Sequence, residues 1–208
     1  RAGFSIALGL ALGPTLISAQ QREADEAWTQ GRHEAARAGY QQVLARNPAD
    51  ILANLRIGVL LSWQGKLDSS LVYLSRARAS DPTDPEIRLI EARVMAWNRQ
   101  YGAALNRYDS LLALHPGLRE ARLGRARTLA WAGRLDQALE TYHKLAVTDS
   151  SDREARLGQA QVNAWKGNLE EHGWGWDTCI SGRDEKTPRP GRRNMLSRLI
   201  QPTRPVES

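Results

Sequence analysis

An all-α fold of stacked antiparallel helix pairs follows from three features of the sequence. Trp63, Trp97, Trp131 and Trp165 stand 34 residues apart each time, and other columns keep the same phase. Within each period, apolar residues recur at helical spacing between glycine and proline punctuation. One Phe, with Val and Ile scarce beside Ala, Leu and Arg, leaves little material for a β-sheet core. A fixed period of this length marks a solenoid, in which each unit buries its apolar face only against its neighbours.

The chain opens with an uncharged stretch from Phe4 to Ala19, broken by Pro14 and followed at once by polar QQREADE. A basic residue in front, an apolar run, a helix breaker and the small Ser18 and Ala19 read as a signal peptide over residues 1–19. The competing reading is a membrane anchor, at the lower edge of a span and interrupted by proline. Cleavage would leave a mature chain from Gln20, outside the cytoplasm, with no later apolar run to span a membrane.

From there to residue 171 the repeat organises everything. A small residue recurs at Ala24, Gly58, Ala92, Ala126 and Ala160, and a second at Ala36, Ser70, Ala104 and Ala138. A bulky one recurs at Tyr40, Leu74, Tyr108 and Tyr142. Gly31, Gly65, Gly133 and Gly167 share a phase, with Arg99 as the exception. Pro48, Pro82 and Pro116 share another, replaced by Ser150. The units run 17–50, 51–84, 85–118, 119–152 and 153–171, the last truncated. Each predicts two helices. Pro85 suits a first helical turn, glycine suits the tight turn between helices, and proline ends the second helix. The small columns let neighbouring helices approach where leucine would hold them apart. In the second helix of the third unit, Tyr101, Ala104, Leu105, Tyr108, Leu111 and Leu112 share one face.

These residues resemble the tetratricopeptide repeat, whose pattern is matched in the fourth unit by Ala126, Gly133, Ala138, Tyr142 and Ser150. One departure is plain: the usual Trp early in the first helix is absent, and Trp stands near that helix's end. The resemblance implies a right-handed solenoid whose first helices line a concave groove for a protein or peptide. It also implies a scaffold, not an enzyme. The phrase REARLGRARTLAWAGRLDQAL after a signal peptide is similar to the periplasmic repeat region of bacterial outer-membrane proteins, some of which serve exopolysaccharide export. The expected location is therefore the periplasm, with possible partners extending to polysaccharide.

The fifth unit starts well, REARLGQAQVNAWKGNLEE, and its first helix is expected near 153–166. After Glu171 the phase expects alanine, and the chain gives His172, Gly173 and Gly175, then Pro188, Pro190, Pro202 and Pro205 among scattered Arg. Residues 172–208 read either as an out-of-frame segment or as a natural basic, Pro-rich unstructured tail. In both readings the last helix lacks the partner that should cover its apolar side.

Chemistry is mostly excluded. The single Cys179 rules out a disulfide framework and any Cys-rich zinc site. His33, His115, His143 and His172 have no metal-spaced partner and read as surface residues, so no metal or cofactor is expected. No phosphate loop, HExxH or GxSxG occurs, and catalysis is not indicated. The net charge of +6 raises nucleic acid as a partner. Half of that charge belongs to 172–208, with seven Arg/Lys against four Asp/Glu, so the repeat region is nearly balanced. The run from Arg122 to Arg127 then reads as a solvated face, and no nucleic-acid partner is expected.

One constellation stands out. Spacings of three, four and four put Glu86, Leu89, Arg93 and Trp97 on one stripe of a first helix. The fourth unit repeats it as Glu120, Leu123, Arg127 and Trp131, and the fifth as Glu154, Leu157, Gln161 and Trp165. The second unit has Leu52, Leu55, Val59 and Trp63. The resemblance places this stripe in the groove. Arg93 and Arg127 can stack on the Trp four residues on, a contact worth about 0.5–1 kcal/mol when exposed. The stripe reads as aromatic platforms flanked by charged donors and acceptors, suited to an extended peptide or polysaccharide. The alternative is that each Trp packs against the adjoining repeat and stiffens the array. The Lys and Asn of a chaperone-tail clamp are absent, so chaperone C-terminal tails are not expected ligands.

Overall fold

The structure, a computed structural model, describes residues 13–172, with side chains described over 19–167. Most of the expected signal peptide, residues 1–12, and nearly all of the expected tail, 173–208, lie outside the described residues. Among the described residues there are nine helices and no strand. They fall into two compact units, divided after Pro82.

The first unit contains α1 (Gly13–Thr29), α2 (His33–Arg46), α3 (Ile51–Trp63) and α4 (Leu67–Ser80). α1 begins before the expected cleavage point and crosses it without a break. Each helix packs on the next. The core of α1 to α3 is Ala24, Ala27, Ala36, Tyr40, Val43, Ala53, Ile57 and Leu61.

The second unit contains α5 (Pro85–Trp97), α6 (Tyr101–Leu114), α7 (Arg119–Trp131), α8 (Leu135–Thr148) and α9 (Arg153–His172). Consecutive helices pack together, and α7 also touches α5 on one side and α9 on the other. The first helices of successive repeats thus lie side by side. Two core clusters follow: Ala92, Ala104, Tyr108 and Leu111 around α5 and α6, and Leu123, Ala126, Ala138, Tyr142 and Val162 from α7 to α9.

The small columns sit where the sequence pattern requires close approach. Ala24, Ala92 and Ala126 are at most 1% exposed, and a Cβ at Gly58 would come within 2.8 Å of Leu74. The helix-pair turns share one geometry. The N–H of Arg134 donates to the Leu129 carbonyl and that of Gly133 to Ala130. The same two bonds recur around Gly31, Gly65 and Arg99. This is a Schellman reversal, whose penultimate residue takes the left-handed conformation; φ is 60–79° at these four positions.

The second helices α2, α4 and α6 end two residues before Pro48, Pro82 and Pro116, as expected, and the proline also shapes the turn that follows. Asn47–Asp50 and His115–Leu118 are turns closed by an N–H to carbonyl bond from the fourth residue to the first. Pro48 and Pro116 occupy the second position, where their fixed φ is already correct. Ser150 stands in for proline because Asp149 supplies the constraint itself: its Oδ1 accepts from both the backbone and the hydroxyl of Ser151. Asp50, Asp84 and Asp152 then cap α3, α5 and α9 through backbone N–H groups.

The last helix corrects the expected end near 166. α9 runs unbroken through Gly167 to His172. In the other repeats a second helix folds back and fixes the reversal. Here the helix continues through Gly167 instead. The uncovered side is visible: Leu157 is 59% exposed, whereas its counterpart Leu123 is 3% exposed.

Candidate functional site

The candidate residues divide by unit. Trp63 ends α3; Glu86, Arg93 and Trp97 lie on α5; Glu120, Arg127 and Trp131 on α7; Glu154, Gln161 and Trp165 on α9. Glu86, Arg93 and Glu120 are exposed, and the four Trp, Arg127, Glu154 and Gln161 are half-buried. In α7 the leucine between the charges is the inward member of the stripe, Leu123 being 3% exposed. Each first helix of the second unit therefore presents charged groups beside an indole that is sheltered on one side.

The preceding repeat shelters Trp131, Trp165 and Trp63. Trp131 packs against the cluster of Ala92, Ala104, Tyr108 and Leu111, and Trp165 against that of Leu135, Ala138 and Tyr142. Trp63 stacks on Trp28, with centroids 5.5 Å apart and planes at 25°, while the His33 ring meets both at its edge. The Arg56 guanidinium lies over the Trp28 ring, 4.3 Å from its centroid. His33, read from the sequence as a solvated surface residue, is exposed but belongs to this aromatic group. An open cleft of about 530 Å³ adjoins it, lined by Arg32, His33, Glu34, Ala35, Leu60, Trp63 and Gln64.

The expected stacking of Arg93 on Trp97 and of Arg127 on Trp131 does not form; the cation–π contacts among the described residues are Arg56 on Trp28 and Arg76 on Tyr73. Arg127 instead pairs with Glu154 of α9. A guanidinium offered a carboxylate takes the charge-assisted bond, which is roughly twice as strong as a neutral one and exceeds an exposed cation–π contact.

Arg127 and Glu154 belong to a larger group that joins α7 to α9. Arg119 grips Asp152 with two bonds, Nε to Oδ2 at 2.9 Å and Nη2 to Oδ1 at 2.8 Å, and reaches Glu154 at 3.3 Å. Asp152 is 5% exposed. The Arg119 bond holds the Asp152 carboxyl below its ordinary range, against the opposing effect of burial, and the bonds to Asp152 raise Arg119 in turn. Glu154 and Arg127 are thus paired with each other across adjacent first helices. On α5 and α7, Arg93 and Glu120 form no such cross-helix pair among the described residues.

From the sequence, Asp149 to Asp152 read as turn and helix-start residues, and Asp152 shares its phase with Asp50 and Asp84; what sequence reasoning missed is the pairing of Asp152 with Arg119. It also missed the glycines under the tyrosines. A Cβ at Gly124 would stand within 2.8 Å of Tyr108 Oη, Cζ and Cε1, and one at Gly158 would overlap the Tyr142 ring. The Tyr108 and Tyr142 rings of α6 and α8 therefore press against the backbone of the next first helix. Burial pushes both phenols up to about 12. No three His, Cys, Asp or Glu come together as a metal group among the described residues. No described helix is long and apolar enough to cross a membrane.

Stacked helix pairs with a Schellman turn in each, and first helices side by side, define a repeat scaffold with a polar, indole-bearing face. A family model, the tetratricopeptide repeat, matches residues 27–94 and 98–162. The chain belongs to the tetratricopeptide repeat family. Among solved structures it is similar to that of MamA protein, at 20% identity and TM-score 0.64, covering 74% of this chain and 85% of that one. It is similar also to YrrB, a TPR protein with an unusual peptide-binding site, at 20% identity and TM-score 0.60, covering 73% and 78%. A third is a tetratricopeptide repeat protein from Parabacteroides merdae, at 20% identity and TM-score 0.65, covering 82% and 68%. At such identity the likeness is one of fold. No curated protein matches the chain.

Proposed function

We propose that this scaffold, whose repeats support protein interaction, holds an extended protein segment across the first-helix face of its second unit, in the bacterial periplasm. The observation that carries the reading is the pairing of exposed Glu86, Arg93 and Glu120 with the half-buried indoles of Trp97 and Trp131 on adjacent helices. An extended segment presents a side chain about every 3.3 Å, so it can meet both helices at once. Charges of both signs would fix its register, and the indoles would take its apolar side chains. The unusual peptide-binding site of YrrB is consistent with peptides as ligands of this fold. The periplasmic location rests on the pattern of residues 1–19.

A second reading, polysaccharide guidance, is favoured by the half-exposed indoles, since a sugar ring stacks on an indole face. The two separate in one experiment. The full chain is immobilised and challenged in parallel with an envelope protein extract and with soluble glycans. The scaffold reading expects protein capture that falls with Arg93→Glu. Retention of glycan that is lost with Trp97→Ala and Trp131→Ala would replace it with the second reading.

A further inference from the structure

α7 and α9 are the same kind of helix in different surroundings. In α7, Leu123, Ala126, Leu129 and Ala130 are at most 3% exposed, enclosed in a core to which α8 contributes Leu135, Ala138, Tyr142 and Leu145. The repeat puts Leu157, Ala160, Asn163 and Ala164 at those places in α9, and all four are exposed. The charges tell the same story. Arg119 at the head of α7 grips Asp152, whereas Arg153 at the head of α9 is exposed and has no acid partner among the described residues. Both the apolar and the charged halves of an inter-repeat interface continue onto this face.

We propose that the exposed face of α9 is a docking site for an amphipathic helix of a partner protein, built on the pattern of α8 and followed by an acidic residue that reaches Arg153. The internal repeat itself specifies the occupant. A helix with a small residue at its centre can approach Ala160 closely, as the buried Ala138 does within the α7 and α8 core. Asn163, standing where α7 has Leu129, requires a polar side chain opposite it, because a buried amide left unpaired is costly.

Two other occupants fit less well. A second copy stacked head to tail would offer its α1, whose outer side carries Arg22, Glu26 and Thr29, all exposed and polar. Residues 173–208 contain Pro188, Pro190, Pro202 and Pro205 and no apolar stripe of helical period as long as α8. The site borders the first-helix face proposed above, Leu157 belonging to the same stripe of α9, but it rests on the exposed residues of α9 and does not depend on that reading.

The test uses the full chain and a fluorescein-labelled peptide with the sequence of Leu135–Asp152, which carries the acid that meets Arg119 within the chain, in a linear and a helix-stapled form. Anisotropy should rise saturably, and Leu157→Asp should weaken binding roughly tenfold or more, as expected for losing one buried leucine contact. Helicity and melting temperature of the variant should be unchanged, since Leu157 is exposed. No saturable binding of the stapled peptide by about 1 mM, or binding indifferent to Leu157→Asp, overturns the proposal. So does a dimer, seen by sedimentation, that Leu157→Asp dissolves, which would give the face to a second copy. So does protection of the Leu157 methyls that is lost when 173–208 are deleted, which would give it to the chain itself.

Discussion

At Arg99 the backbone holds φ 60°, the conformation that Gly31, Gly65 and Gly133 hold in the sister turns. A side chain there is strained against its own carbonyl, at a cost of roughly 1–2 kcal/mol that glycine avoids. Arg99 is exposed, so little is lost on removing it. Arg99→Gly should stabilise the protein by about 0.5–1 kcal/mol after the added freedom of the unfolded chain is counted. In a thermal melt this reads as a rise of a degree or more; an unchanged or lowered midpoint would contradict the account. This exception was visible in the sequence, because the glycine column itself marked the position. The partner of Arg127 was not. Spacing of four says that Arg127 and Trp131 share a helix face. It does not say which group on another helix competes for the guanidinium, and Glu154 does so. The same limit hid the role of Gly124 and Gly158, whose smallness answers a tyrosine ring from a different helix.

At the level of elements, helix starts, turns and small columns could be read from sequence because each is set by local rules repeated in phase. The length of α9 could not: Gly167 stands in the column of turn glycines, yet the helix continues through it. Docking of α9 rests on Asp152, which both caps the helix and binds Arg119. Its carboxyl is held below the ordinary value, chiefly by the Arg119 bond. The sign follows: the stabilisation is fully present above the ordinary carboxylate range near pH 4 and is lost as pH falls through the depressed value. Asp152→Asn keeps a capping residue and removes the charge pair. With Arg119 42% exposed, the loss at neutral pH is screened to about 1 kcal/mol. The variant should also lose less stability than the parent between pH 5 and pH 2. Parallel melts across that range check it; identical slopes would mean that the pair contributes nothing.

At the scale of the whole molecule, a solenoid is stabilised by nearest neighbours, which leaves its faces free to differ from repeat to repeat without changing the fold. The second unit uses that freedom. Its cores are built from recurring Ala, Leu and Tyr, while the outward stripe changes from Arg93 to Arg127 to Gln161. The repeat pattern made the scaffold legible in the sequence. It left the choice among platform, packing and ion pair to the contacts between helices. The central claim is that the exposed charges of α5 and α7 read a bound segment. The most direct measurement is selection of random-sequence peptides on the immobilised full chain, followed by titration against Arg93→Glu and Glu120→Lys. Both substitutions fall on exposed side chains, so the fold is retained. The account predicts enriched peptides whose affinity falls roughly tenfold in each variant, as for loss of one charged contact. No enrichment, or peptides that bind the parent and both variants equally, would contradict it.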